Sequence, residues 1–271
     1  MPRTPSEANM ADPVVNTQAR PSPGLGVNVV VPGALLALAA IGWWWSVRMA
    51  GDMRADGMGG MGSMGAGDVL SLGAFVVAWL AMMTAMMFPA ISPVVKLYAR
   101  AAGAGRVAPL PFFVAGYIAV WTSLGLPAYG AWRALMDPIA EGRVWAARLA
   151  GGVLLAAAVW QVTPLKSICL RHCRSPMSLF LRFGRSVTRP LGALRMGATH
   201  GGYCVGCCWA LMAVLVAVGT MNLAWMVAFA VLIFVEKNAR PGERIALVAG
   251  AVLAALGALL LIYPSSIHTL T

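Results

Sequence analysis

The sequence predicts an all-α, polytopic bundle of about seven transmembrane helices, and three observations carry that expectation. The chain of 271 residues is 60% hydrophobic and only 11% charged, whereas a soluble domain carries about a quarter charged residues. Its mean hydropathy is +0.77. The apolar residues also fall in long runs with the charges gathered between them, as helices that satisfy their own backbone in lipid require. The net charge of +11 does not indicate nucleic acid, because no basic patch interleaves with aromatics on a polar face. Cytoplasmic loops of membrane proteins accumulate Lys and Arg, and that is the better account.

Residues 1–26 are polar and rich in Pro, Ser and Ala, and read as a disordered cytoplasmic tail. Their weak charge, and the lack of a small-residue cleavage site after the first apolar run, argue against a signal peptide. That run, 27–47, is expected to be a retained span. Further runs follow at 69–90, 108–130, 144–163, 203–219, 222–236 and 244–263. A span needs ~20 residues, with ~17 as the short limit. Five runs meet this comfortably. The fifth and sixth, joined by the turn 219–222, are two short helices or one re-entrant pair. The expected organisation is one transmembrane domain over 27–263, with a Met/Gly-rich outer loop (48–68), a basic inner loop (164–200) and a short outer tail (264–271).

Charge sets the orientation. The second loop has Lys96, Arg100 and Arg106 without an acid, and the fourth has Lys166, Arg171, Arg174, Arg182, Arg185, Arg189 and Arg195, again without one. The first and third loops balance base with acid. This alternation predicts an N-terminus inside and a C-terminus outside. Trp43, Trp44 and Trp45 then fall at the outer interface, where Trp is enriched. No carboxylate is expected deep in a span, and Glu236 and Lys237 read as interfacial caps of the sixth run.

Within this frame, 17 Met, five Cys and three His concentrate in four places. In "HGGYCVGCCW" (200–209), Cys204, Cys207 and Cys208 share a helix face, and Gly201–Gly202 is expected to let His200 fold back over it. In "CLRHC", Cys169, His172 and Cys173 converge if the segment is helical. In "AMMTAMMFPAISPVV" (81–95), Met82 pairs with Met86 and Met83 with Met87, each four apart. Pro89 and Pro93 are expected to interrupt that helix. In the outer loop, Met53, Met58, Met61 and Met64 stand among Gly and Asp, in a run too polar to pack a core. Their spacing resembles the Met-rich extracellular tails of copper importers. Thiolate, thioether and imidazole together suit Cu(I) or Zn(II) rather than Mg or Ca. Packing is the competing account, since Met and Cys are ordinary core residues. Three Cys and a His in nine positions exceed what packing needs.

The chain resembles the DUF2182 family of bacterial proteins, described as predicted metal-binding integral membrane proteins. The resemblance rests on Trp79-x2-Met82 with Met86-Met87-x-Pro89, on Lys166-x2-Cys169-x3-Cys173-x2-Pro176, and on Gly202-Tyr203-Cys204-x2-Cys207-Cys208-Trp209-Ala210-Leu211-Met212. It covers roughly residues 70 to 236 and implies metal binding without a defined metal or mechanism.

The functional expectation is a multi-pass protein of the bacterial inner membrane that binds Cu(I), with zinc as the second candidate, for transport or delivery. Met53, Met58, Met61 and Met64 would capture metal outside, and the Met, Cys and His residues above would hold it near the inner face. A metallochaperone or a membrane cuproenzyme is the expected protein partner, and anionic lipid headgroups face the Arg-rich loop. The alternatives are an assembly factor for a membrane cuproenzyme, a thiol-disulfide oxidoreductase using Cys204 and Cys207, and a structural subunit. No catalytic triad, phosphate loop or dinucleotide fingerprint is visible.

Overall fold

The computed structural model describes residues 25–55, 69–103, 108–218, 222–239 and 241–266. Among these residues all regular structure is helical, in agreement with the fold class expected from the apolar runs. The helices are α1 (Leu25–Ala55), α2 (Val69–Gly103), α3 (Leu110–Ala140), α4 (Val144–Val162), α5 (Pro164–Arg174), α6 (Pro176–Phe183), α7 (Pro190–Val218), α8 (Leu223–Asn238) and α9 (Gly242–Ile262). Six of them (α1 to α4, α7 and α9) are long and apolar enough to cross a membrane. The expected sixth run forms α8, whose 16 residues fall just under the ~17-residue limit.

Two stretches differ from the expected local structure. Pro89 and Pro93 do not end α2, which runs through both as one 35-residue helix. Each proline still removes one backbone donor, but its neighbours Met86, Met87 and Phe88 are fully buried. Packing of this kind lets a helix continue through proline. The stretch 164–200 is also mostly helical. Thr163 starts α5 by accepting from the Lys166 amide with its hydroxyl (3.3 Å), and Pro164 occupies the first turn. Pro176 opens α6 in the same way, and Gly184, at φ +47°, closes it. A 3-10 turn at Gly184–Thr188 then leads into α7.

Small residues bring the helices together, as expected where lipid removes any hydrophobic drive between them. A Cβ on Gly116 of α3 would collide with the Leu194 carbonyl of α7, and one on Gly197 of α7 with the Phe113 carbonyl of α3. Gly151 and Gly257 oppose each other between α4 and α9, and Gly42 of α1 sits over Ala81 and Ala85 of α2. The lipid-facing sides stay apolar, with Val248, Val252 and Ile262 of α9 exposed.

One junction matters for function. At the end of α4, Trp160 Nε1 donates to the Gly206 carbonyl in the middle of α7 (3.1 Å). At the end of α8, Lys237 reaches Cys204, two residues away on α7. Two helices therefore finish beside the centre of α7, and α5 packs across it at the same place.

Candidate metal centre

The spacing His200, Cys204, Cys207, Cys208 places all four residues along one stripe of α7, and all four are buried. Gly201 and Gly202 lie inside the helix rather than in a flexible entry, so His200 sits one turn before Cys204 and does not fold back over it. Gly201 has a different use. A Cβ there would come within 3.2 Å of Val120 Cβ and 3.3 Å of the Tyr117 carbonyl, so its absence lets α3 lie close to this stripe. The ring of His200 packs between Phe113 and Tyr117, each 6.0 Å away between centroids. It is 0% exposed, and neither ring nitrogen has a hydrogen-bond partner. A buried imidazole with both nitrogens unpaired is unusual and needs an explanation.

Cys204 is the hub. Its Sγ receives a hydrogen bond from Lys237 Nζ at 2.8 Å and lies 3.1 Å from the Tyr117 hydroxyl. The same ammonium is 3.8 Å from Met87 Sδ of α2. Cys207 and Cys208 donate to the backbone carbonyl of Cys204, at 3.0 and 2.8 Å. From α5, the Cys173 thiol lies beside Cys204 and Cys207, near enough for each to act on its proton. The nearness of those two thiols, with burial, pushes the Cys173 thiol well above its ordinary pKa, so it stays protonated until something takes the proton's place.

The other expected ligands are placed differently. Cys169 is half-buried on the flank, where a Cβ on Gly206 would fall 2.7 Å from its Sγ. Burial first, then Cys207, raises its pKa as well. His172 stacks on Tyr203 (4.8 Å, 16°) and its Nδ1 lies 2.9 Å from the Ile168 carbonyl, so it is not brought to the thiols. Met82, Met83 and Met86 are buried in the α2 face of the core. Of the four methionines in that cluster, Met87 is the one with a contact to Lys237. Met58, Met61 and Met64 lie outside the described residues, as does the side chain of Met53.

Several site residues escaped the sequence reading. Tyr117 gave no signal beyond being an aromatic in a span. Glu236 and Lys237 were expected at the interface, yet they are 2% and 6% exposed. Glu236 Oε2 accepts from Lys166 Nζ at 2.8 Å and its Oε1 accepts from Gln161 Nε2 at 3.3 Å. This pair ties the end of α8 to the end of α4 and the start of α5. Gln161 and Lys166 were the available clue, since polar groups next to apolar spans are costly and mark internal contacts.

Among the described residues, no three His, Cys, Asp or Glu side chains are disposed as a ready-made metal centre. The chemistry of the donors nevertheless fits a soft cation. Thiols, a thioether and an unpartnered imidazole surround Cys204, while the nearby carboxylate, Glu236, is engaged by Lys166 and Gln161. A positive charge already stands against the sulfur, in the form of the Lys237 ammonium.

Comparison with known proteins agrees with this chemistry. A family model described as PpoB2, copper chaperone, matches residues 76–260, which run from within α2 to near the end of α9 and include all five cysteines. No curated protein and no solved structure matches the chain. With well over half of its length matched, the chain belongs to the PpoB2 family of copper chaperones.

Proposed function

We propose that the protein holds Cu(I) at the membrane and hands it to a recipient cuproprotein, using Cys173 and Cys204 as the main donors. Cys207 on the same stripe, His200 one turn before Cys204 and Met87 on the far side of the Lys237 ammonium are the auxiliary donors. The observation that carries this reading is the gathering of Cys173, Cys204, Cys207 and Cys208, beside an imidazole with two unpartnered nitrogens, in a buried junction of α5, α7 and α8. Thiolates select Cu(I) over hard cations, and the family is one of copper chaperones. The motif resemblance to DUF2182 covers nearly the same helices, and we take both as descriptions of one family. The inner membrane as location and the inward-facing position of the thiols follow from the distribution of basic residues.

The test is elemental analysis of the detergent-solubilised chain purified under reducing conditions after growth with copper, beside Cys173→Ser/Cys204→Ser. Copper in the wild type and its loss in the variant are the expected outcome, and equal metal in both sinks the site. Transport is distinguished by labelled copper flux into proteoliposomes, which delivery alone does not produce. A second reading rests on the reach of Cys173 to Cys204 and Cys207, which would also let these thiols form a disulfide. Reversible disulfide formation in protein that binds no metal would favour it.

A further inference from the structure

The buried charges around the thiols do not all cancel. Glu236 and Lys166 form a closed pair at 2.8 Å, both almost fully buried. Lys237 lies next in the chain, equally enclosed, but no carboxylate stands within ion-pair distance of it among the described residues. Its ammonium meets sulfur instead: Cys204 Sγ at 2.8 Å and Met87 Sδ at 3.8 Å. An isolated charge is costly where water is excluded, so buried charges are kept paired. A lysine enclosed by soft donors, with the neighbouring Glu236 carboxylate already taken by Lys166, is placed to balance negative charge that arrives on those donors.

The thiols able to supply that charge are limited by geometry. Cys207 and Cys208 are turned back to donate to the Cys204 carbonyl. Cys204 and Cys173 remain, side by side between α7 and α5 with the ammonium against Cys204, while Cys207, also beside Cys173, joins them only by giving up its bond to the carbonyl. When a metal binds, these two thiols lose their protons to the aqueous phase and become thiolates. A monovalent cation on two thiolates leaves one net negative charge, which Lys237 cancels. A divalent cation on the same two thiolates is already neutral, and Lys237 is then left as an uncompensated buried charge. To avoid that, the divalent ion must recruit a third thiolate by breaking one of the hydrogen bonds to the Cys204 carbonyl.

We propose that Lys237 is the specificity-determining residue of the site, its fixed positive charge selecting a monovalent over a divalent soft cation. This rests on the reading of Cys173 and Cys204 as the metal-binding pair.

The experiment measures the affinities of the solubilised full chain for Cu(I) and for Zn(II), each in competition with a chromogenic chelator under anaerobic conditions. The variants are Lys237→Met, Lys237→Gln and Cys204→Ser. Their ratio of affinities is read because it does not depend on the fraction of protein that is folded. The expected result is a Cu(I)-over-Zn(II) ratio lowered by about tenfold or more in both Lys237 variants, with both metals lost in Cys204→Ser. A ratio unchanged within about twofold in both Lys237 variants, with metal still lost in Cys204→Ser, overturns the role of Lys237 and leaves the site standing. Unchanged binding of both metals in Cys204→Ser overturns the site itself.

Discussion

At the residue scale, the buried pair Lys166–Glu236 holds three helix ends around the thiols. Neither partner touches a sulfur in the contacts described, so its role is positional. Removing one partner of a buried ion pair leaves the other as an unpaired charge, a loss of about 3–5 kcal/mol, whereas replacing both by apolar residues of similar volume is close to neutral. Lys166→Met alone is therefore expected to lower the thermal midpoint in detergent markedly, and Lys166→Met/Glu236→Leu to recover most of it. A double variant as unstable as the single one would mean that the pair does more than cancel charge. The same residues mark the limit of legibility in the sequence. Lys237 ends a short apolar run, and a lysine in that position ordinarily reaches the headgroups. Its burial depends on α4 and α5 meeting beside α7 at the same level, which no local pattern encodes.

At the element scale, the stripe on α7 works only if α3 approaches closely enough for Tyr117 to meet Cys204 and for Phe113 to cover His200. Gly116 and Gly197 permit that approach, because a Cβ on either would strike backbone of the opposite helix, which cannot swing aside as a side chain can. Overpacking costs about 1–3 kcal/mol where neighbours can adjust, and more is expected here. Gly197→Val should therefore lower both thermal stability and copper retention. Gly202→Val is the control: it lies on the same helix, exposed and with nothing within 4 Å of its Cβ position, and should change neither. Equal effects of the two would show that α7 tolerates bulk along its whole length. The sequence made the Cys stripe visible by its spacing, since three- and four-residue intervals align on any helix. It was misleading at Pro89 and Pro93, because the local cost of proline is visible in a sequence while the packing that outweighs it is not. The helices α5 and α6 were hidden for the converse reason. They are short and rich in arginine, and their caps at Thr163 and Gly184 are weak signals among many similar residues.

At the scale of the whole molecule, basic residues without acidic partners in sequence gather at one end of the bundle. Tyr98 near the end of α2 stacks on Phe113 near the start of α3 (4.6 Å), and the Ala108 amide donates to the Val187 carbonyl in the 3-10 turn (2.8 Å). These contacts draw together Lys96, Arg100, Arg185 and Arg189. At the opposite end, between α3 and α4, Glu141 accepts from Arg143 (2.5 Å) in a turn closed by Gly142 at φ 64°. By the positive-inside rule, the proposed topology puts the first end in the cytoplasm. Two cysteine substitutions test this: Arg185→Cys and Glu141→Cys, each treated with a membrane-impermeant maleimide. Glu141→Cys should label on intact spheroplasts, and Arg185→Cys only in inverted vesicles, with the unsubstituted chain correcting for Cys169, its half-buried native thiol. The orientation decides the direction of delivery. Cys204 lies midway along α7, between the basic end and Val218, and Cys173 approaches it on a segment that enters from the basic side. A recipient or donor protein would therefore reach these thiols from the cytoplasm. Labelling of Arg185→Cys on intact spheroplasts would invert the bundle and require the copper to be exchanged with partners outside the cell membrane instead.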